Sequence, residues 1–449
     1  AGYVGGPTMA VIAKMCRDLE ITIVDLDKNK IDLWNSEKLD ELPVFEPGLC
    51  EIINECRGKN LSFSTNIKEA IESSQMIFIA VNTPTKESGI GAGEASDLGY
   101  VESCARDISL YAKDNTIVIE KSTIPVKTAD IINKILNCSS SDRKFHILSN
   151  PEFLSEGSAI QDLLKPNRVL IGGDNEKAVD ALANIYNRWI DNKKIIKTNV
   201  WSAELSKLTS NAFLAQRISS INTISAICEK TGANINEVSK SIGLDKRIGK
   251  YFLQHGPGFG GSCFKKDILN LIYISKFYGL PEVAEYWEKV LDINNWQKKR
   301  ISRIVVNNLF GTLKNKKIAI LGFAFKAETN DTRESSAIDI CKDLLEEGAY
   351  LSIYDPKVDF EKISQELLPN ENLINDNMNI VSAKTIAMAV DDADAVIILT
   401  EWDEFKDICW NDFSEIMRKP SWLFDCRDVI QLNSIDKGKI NLWKCGYSI

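Results

Sequence analysis

AGYVGGPTMAVIAKMCRDLEITIVDLD, residues 1–27, holds a glycine turn, a helix-length apolar stretch and a β-rich run closed by an acid. Gly2, Tyr3, Val4 and Gly5 read as the tail of a G-x-G-x-x-G turn whose first glycine and leading strand are missing from the sequence. Glycines in such a turn let the backbone approach a pyrophosphate at a helix N-terminus, where the peptide dipoles favour negative charge. A simple tight turn is the competing reading. Asp25 decides between them: 20 residues after Gly5, it stands where an acid hydrogen-bonds a ribose 2′-hydroxyl and disfavours a 2′-phosphate. The stretch predicts an NAD site in a parallel βαβ unit, with a gap in the centre of the sheet where the leading strand is lacking.

The same rhythm continues outward. QMIFIAVNTPT (75–85), NTIVIEKST (115–123) and FHILSN (145–150) are further strand candidates, separated by helical patterns. From Trp201 the pattern changes: residues 201–231 contain neither Pro nor Gly, and Leu205, Leu208, Ala212, Ala215 and Ser219 recur three or four apart, as on one long helix. A second helix starts at Pro281 and runs towards Leu309. KKIAILGFAF (316–325), a helix from Thr332, YLSIYDP (350–356), ADAVIILTEW (393–402) and SWLFDCRD (421–428) then repeat the first region in outline, with Asp355 placed as Asp25 is. The expected fold is α/β: two Rossmann-like doubly wound domains, at 1–200 and 312–449, joined by a long-helix core at 201–311.

The chain has 449 residues and a formal charge of −9. That acidic balance, without a Lys/Arg block, argues against nucleic acid or anionic membrane as the partner. Apolar runs such as MIFIAV (76–81) fall far short of the ~18 residues that span a bilayer. Eleven scattered cysteines, no C-x-x-C pair and no basic-then-apolar leader read as a reduced, cytoplasmic protein. Two histidines, His146 and His255, far from any cysteine pair, speak against a metal site.

The strongest chemical signal is GFGGSCFKKD (258–267), followed by a helical pattern. A glycine-rich loop delivers Cys263 to a helix N-terminus beside Lys265 and Lys266, and both effects favour the thiolate. Asp267 follows four residues later on the same helix face. A small buried structural cysteine is the alternative. Lys207 and Asn211, also four apart, present a charge and an amide that suit a developing oxyanion or a sugar hydroxyl; taken alone, an exposed lysine paired with Glu204 explains Lys207 better. NPEFLSEG (150–157) carries Glu152 and Glu156 after a strand. Glu152 reads equally as a partly desolvated general base or as a first-turn acid favoured by a helix dipole.

Together these segments resemble the UDP-glucose 6-dehydrogenases over essentially the whole chain. The resemblance rests on AGYVGGPT (1–8), FIAVNTPT (78–85), EKSTIPV (120–126), LSNPEFLSEG (148–157), ELSKLTSNAFLAQRISS (204–220), GFGGSCFKKD (258–267), LGFAFKAETNDTRESS (321–336) and FDCRDV (424–429). The animal-type enzymes are the expected nearest relatives, because the lysine-helix and TRESS segments recur almost intact. The resemblance implies an NAD-binding N-terminal domain, a dimerising helical core and a C-terminal domain for the UDP-sugar. It implies oxidation of UDP-glucose to UDP-glucuronate with two NAD+ reduced, through a thiohemiacetal and a thioester on Cys263.

By motif position, Lys207 would steady the C6 oxygen with Asn211 nearby, Asp267 and Thr123 would hold or activate water, and Glu152 would assist thioester hydrolysis. The NAD contacts would be Gly2, Tyr3, Val4, Gly5, Asp25, Lys30, Val81, Asn82, Thr83, Pro84, Thr85, Ser122, Thr123, Ile124, Glu156, Cys263, Phe264, Lys265, Lys266 and Arg333. The UDP-sugar would meet Glu152, Phe153, Leu154, Ser155, Glu156, Lys207, Asn211, Gln254, His255, Gly256, Pro257, Gly258, Phe259, Gly260, Phe325, Lys326 and Arg427, with Arg247 reaching in from a neighbouring subunit. The resemblance also implies a homodimer or hexamer and feedback by a UDP-pentose such as UDP-xylose. Two departures stand out. Lys30 replaces a usual arginine, and Asp428 puts an acid near the expected diphosphate grip.

Three other readings compete. A sister enzyme acting on GDP-mannose or a UDP-N-acetyl sugar would keep the chemistry and change the substrate. A non-catalytic nucleotide-sugar sensor would have lost the nucleophile or Lys207, and both are present. A two-electron hydroxyacid dehydrogenase would need neither Cys263 nor a second α/β domain.

Overall fold

A computed structural model describes residues 1–138, 143–368 and 379–448. The chain folds as two compact units, Ala1–Ser210 with Leu269–Pro281, and Asn211–Ile268 with Glu282–Ile449. Helical residues of the 201–311 stretch fall in both.

In the first unit, β1 (Ile21–Val24) and β2 (Leu61–Ser64) form a parallel pair of their own. β3 (Met76–Ile79), β4 (Thr116–Glu120), β5 (Phe145–Ser149), β6 (Val169–Gly173) and β7 (Ile195–Thr198) form a second sheet in chain order. All its pairs are parallel except β5–β6. Among the described residues β1 does not pair with β3, so the sheet is interrupted where the sequence predicts a gap. The helix Gly5–Met15 packs Ala10, Val11 and Ala13 into a core with Trp34, Ile52 and Ile53. Gly6 is required there, since a Cβ would lie 2.6 Å from the Trp34 ring. Strands β2, β6 and β7 are additional to the predicted ones, and β3 ends at Ile79, before the polar NTPT segment.

In the second unit, β8 (Lys317–Leu321), β9 (Tyr350–Tyr354), β10 (Ile380–Ser382), β11 (Ala395–Ile398), β12 (Trp422–Asp425) and β13 (Asn441–Lys444) form one sheet, ordered β10-β9-β8-β11-β12-β13. Every pair is parallel. This is the doubly wound order, whose ligand crevice lies beyond the carboxyl ends of the strands where the order reverses, here β8 and β11. Ile318–Leu321 and Ala395–Ile398 are wholly buried, as strands covered on both faces must be, which is why they read as unbroken apolar runs. The helix after β8 starts at Ser336, four residues later than Thr332, because the side chain of Ser335 caps it by accepting from the Ala337 N–H.

The long helix runs Val200–Thr231 and the next Pro281–Asn308, close to the predicted limits. Leu208, Ala212, Ala215 and Ser219 are buried as their spacing requires, whereas Leu205 is exposed. No helix among the described residues is long and apolar enough to cross a membrane.

Candidate active site

In the first unit, the strand ends are tied together by side chains. Ser122, just beyond β4, accepts the Val81 N–H at 2.9 Å and donates to the Val81 carbonyl at 2.7 Å. Thr83 donates to the Thr123 carbonyl at 2.7 Å. Thr83 and Ile124 are buried, Val81, Thr85 and Thr123 half-buried, and Asn82 and Pro84 exposed, so the two loops form one ledge. At the end of β1, Asp25 meets the Lys30 ammonium at 3.1 Å. Burial pushes the Asp25 carboxyl up, but the Asp27 N–H and Lys30 outweigh it and hold it below its usual range.

The turn Gly2–Val4 leads into the helix Gly5–Met15, with the Gly6 N–H donating to the Gly2 carbonyl at 2.9 Å. Tyr3 donates to the Phe45 carbonyl at 2.9 Å. A Cβ at Gly2 would meet nothing within 4 Å, whereas one at Gly5 would touch Ala80 at 3.2 Å. An open backbone turn on a helix N-terminus, beside an ionised acid at the next strand end, fits a dinucleotide. Gly2, Gly5, Asp25 and the Val81–Thr85 ledge are the groups that would hold it.

Behind β4 and β5 lies a buried charged cluster. Lys207 Nζ meets Glu152 Oε1 at 2.9 Å, both buried. Glu152 follows β5 in a loop and its Oε2 accepts the Leu154 N–H at 2.7 Å; the next helix begins only at Ala159, so it is no first-turn acid. Burial alone would raise its carboxyl, yet the charge of Lys207, the Leu154 N–H and the charge of Lys121 leave it below the usual range. Phe153 carries the Arg168 guanidinium 3.8 Å over its ring, with Lys207 Nζ at 5.5 Å. Ser155 is exposed and Glu156 half-buried.

Glu204 is not the partner of Lys207. Its carboxylate caps the helix Thr128–Cys138, accepting the Lys127 N–H at 2.7 Å and the Ala129 N–H at 2.9 Å. Lys121, Asn150, Tyr186 and Arg168 surround the Lys207–Glu152 pair, and no site motif in the sequence marks them by itself. Lys121 Nζ donates to Asn150 Oδ1 at 3.0 Å, and the Tyr186 hydroxyl donates to the same oxygen at 2.7 Å. The one sequence signal, that two strands end in EKST and SNPE, covers Lys121 and Asn150 alone.

In the second unit, Cys263 sits half-buried immediately before the helix Phe264–Phe277, its Sγ 3.4 Å from Ser262 Oγ. The Asp267 N–H donates to the Cys263 carbonyl at 2.9 Å. Asp267 is buried and its Oδ2 accepts the Asn211 amide at 2.6 Å. Lys266 Nζ stands 3.8 Å from the other Asp267 oxygen, while Lys265 pairs with Glu334 at 2.8 Å. Phe264 packs edge-on against Phe259.

Amides from the two long helices hold the loop ahead of Cys263. Asn222 Oδ1 accepts the Gly256 N–H, and Gln297 Nε2 donates to the Gly256 carbonyl, each at 2.9 Å. Asn294 accepts the Phe259 N–H at 2.8 Å and donates to its carbonyl at 3.1 Å. Gly258 has φ +126° and a Cβ there would lie 2.8 Å from Asn294 Oδ1; one at Gly260 would lie 2.5 Å from the Glu334 carbonyl oxygen. His255, Gly256, Pro257 and Gly258 are buried and Gln254 exposed. The His255 ring lies 6.5 Å from that of Tyr447, and burial lowers its pKa against the pull of Asp428.

At the carboxyl ends of β8, β11 and β12, Arg427 donates to the Leu399 carbonyl at 2.8 Å and the Phe325 carbonyl at 2.9 Å, and pairs with Glu401 at 3.1 Å. Lys326 Nζ lies 5.6 Å from the Phe325 ring centre. Asp428 is neutralised locally, 2.5 Å from the buried Lys444 ammonium. Arg333 pairs with Asp331 at 2.7 Å, and Arg247, 89 % exposed at its side chain, pairs with Asp245.

Comparison with known proteins matches residues 1–190 to the UDP-glucose/GDP-mannose dehydrogenase family NAD binding domain, 201–296 to its central domain and 319–432 to its UDP binding domain. The chain is 52% identical to UDP-glucose 6-dehydrogenase 3 of Arabidopsis thaliana, over 97% of this chain and 93% of that protein. It is 51% identical to UDP-glucose 6-dehydrogenase 1 of Glycine max over the same shares. A UDP-glucose dehydrogenase from the archaeon Pyrobaculum islandicum superposes with a TM-score of 0.86 at 28% identity, covering 100% of this chain and 96% of that one. These relatives at 52% and 51% are plant enzymes, so the expected leaning towards animal enzymes is corrected. With all three family regions matched in order, the chain belongs to the UDP-glucose/GDP-mannose dehydrogenase family.

Proposed function

We propose that the chain is an NAD-dependent UDP-glucose 6-dehydrogenase, converting UDP-glucose, two NAD+ and water into UDP-glucuronate, two NADH and protons. One structural observation supports the four-electron course above all: Cys263 at the head of a helix, behind a glycine loop that three buried amides fix in place. A two-electron dehydrogenase has no use for a nucleophile set in this way.

Bound NAD+ accepts the hydride in each oxidation. Lys207 bears the charge developing on the C6 oxygen, with Asn211 one helical turn further on. Cys263 Sγ adds to the aldehyde carbon and the thiohemiacetal is oxidised to a thioester. Water then attacks the thioester carbonyl, giving a proton to Glu152, and the C–S bond breaks to return Cys263 as thiolate. Asp267 and Thr123 hold or activate water. Phe325, Lys326, Arg427 and the Gln254–Gly260 loop take the UDP-sugar, since a bidentate guanidinium and a second cation suit a diphosphate.

The same reading includes assembly of at least a dimer. An open apolar concavity of about 510 Å³ on the long helices, lined by Ala226, Ile227, Ile293 and Trp296, supports it. It also includes feedback by UDP-xylose at the substrate site, with Arg247 supplied by a neighbouring subunit. Eleven unbridged thiols suit a reducing cytoplasm.

The test is to count NADH per UDP-glucose consumed, for wild type and Cys263→Ser, beside a panel of GDP-mannose and UDP-N-acetyl sugars. Two NADH with UDP-glucuronate from wild type, and a stalled variant, are expected. One NADH with free aldehyde, or a variant equal to wild type, overturns the mechanism. Turnover of another sugar alone moves the substrate.

A further inference from the structure

Lys121 is a buried lysine that the mechanism above does not use. It lies just beyond β4, 4% exposed, with its ammonium 3.0 Å from Asn150 Oδ1 and 3.4 Å from the Tyr186 hydroxyl. Asn150 is itself anchored, donating to the Leu170 carbonyl at 2.7 Å. An ammonium taken out of water is costly unless it is hydrogen-bonded and faces opposite charge. The opposite charge here is Glu152. Lys121, Asn150, Glu152 and Tyr186 line one cavity of about 80 Å³ within the first unit, room for roughly two or three waters. Glu152 thus feels two ammonium groups, Lys207 at 2.9 Å and Lys121, which lines the same cavity.

We propose that Lys121 is a positioning residue for thioester hydrolysis: held by Asn150 and Tyr186, its charge keeps Glu152 ionised and able to accept the proton of the attacking water. The inference rests on the reading that Glu152 is the hydrolytic base. Its logic is that Lys207 has two duties. When Lys207 turns its charge to the C6 oxygen, its hold on Glu152 weakens, and a buried carboxyl with no other cation would take up a proton before water could give it one. Lys121 is the second cation. Burial lowers the Lys121 pKa to about 8, partly offset by Glu152, so the support should fade on the alkaline side. The other charged groups around Glu152 are Lys207, Arg168 over Phe153 and Asp162, which also lines the cavity. Tyr186 stays a neutral phenol, its pKa driven up by burial.

Three measurements on the full chain, with Lys121→Met and Lys121→Arg, test this. Acid quench and mass spectrometry of the Cys263 peptide should show more covalent adduct in Lys121→Met. Its kcat for UDP-glucose should fall at least about tenfold at the acidic end and recover as pH rises, while the first hydride transfer keeps its rate and Lys121→Arg restores the profile. A kcat lowered equally at every pH, or an unmoved acid limb, would overturn the proposal and make Lys121 a structural tie. The third readout needs no substrate: the infrared carboxylate band absent from Glu152→Gln should titrate at higher pH in Lys121→Met than in wild type. An unmoved titration also overturns it. Wild type that oxidises no UDP-glucose, with the infrared shift intact, would instead remove the reading of Glu152 as base and leave the coupling standing.

Discussion

Replacing Asn294 with leucine should loosen the loop that carries Cys263. The side chain accepts the Phe259 N–H at 2.8 Å and donates to the Phe259 carbonyl at 3.1 Å, with Asn294 and Phe259 both buried. Leucine keeps the volume but leaves two buried backbone groups without partners, each costing about 1–3 kcal/mol. A branched methyl would also press on Gly258, where Asn294 Oδ1 already lies 2.8 Å from the position of a Cβ. The low end of the range, about 2 kcal/mol for the two groups, corresponds to more than tenfold in a local opening equilibrium. A chain of two units has no single unfolding free energy, so the assay is native-state hydrogen exchange, amide by amide. Amides from Gly258 to Cys263 should exchange at least about tenfold faster, with those of β8–β13 unchanged. Equal protection of Phe259 in wild type and variant would refute the reasoning, because the amide would then not be what holds the loop.

Lys207→Met should destabilise the first unit by about 3–5 kcal/mol, since it strips a buried carboxylate of its nearest partner; Lys207→Met/Glu152→Gln should regain most of that in native-state hydrogen exchange of the β4 and β5 amides, and an equal loss in the double variant would place the cost elsewhere. Glu120 is buried against Glu204, and burial followed by that neighbouring charge raises its carboxyl well above the usual 4.5. A raised folded value means stability present below the unfolded value and lost as pH rises through the folded one. Glu120→Gln, which carries no charge at any pH, should flatten that decline in a thermal pH series, and an unchanged slope would show that Glu120 does not set it. Arg427→Lys loses the fork that reaches the Leu399 and Phe325 carbonyls. The KM for UDP-sugar should rise at least about tenfold while that for NAD+ holds, and matching rises in both would point to general damage.

The parts legible in the sequence are those specified by local pattern. Residues 201–231 run without a breaker, and their helix came within one residue of its predicted start. β8 and β11 are apolar on both faces and stand out as runs. β10, three residues long, leaves too short a pattern to read, and β13, as long as β11, is bounded by Asn441 and Lys444 and only partly buried, so it makes no apolar run. The site residues that local pattern does not mark are hidden for a different reason. Lysine is among the side chains least often buried, and nothing near Lys121 announces its burial, because Asn150 and Tyr186 lie 29 and 65 positions away. Lys207 shows the same limit in reverse. Helical spacing offers it Glu204 three residues back, but Glu204 caps another helix and Glu152, from a strand end, takes its place.

The two Rossmann-like units also show why a repeated fold does not repeat a ligand. Asp25 follows β1 and Asp355 follows β9, each the strand that comes after a glycine turn and its helix, and by position alone each is a candidate for a ribose hydroxyl. Asp355 is not available for one. Its two oxygens accept from the N–H groups of Phe323, Ala324, Lys357 and Val358 and from the Trp402 indole. That is five donors for about four lone-pair sites. This acid closes the turn after β8 onto β9. Asp25, by contrast, accepts one backbone N–H and lies against the Lys30 and Ala1 amino groups, and its side chain keeps 21% exposure. The strand ends of the second unit carry Lys326 and Arg427 instead of a free acid. A cationic crevice recognises phosphates whatever sugar follows them, whereas a ribose needs an acceptor. The charge at the strand ends, rather than the strand order the two units share, therefore fits the proposed places of the two ligands, the dinucleotide in the first unit and the nucleoside diphosphate in the second.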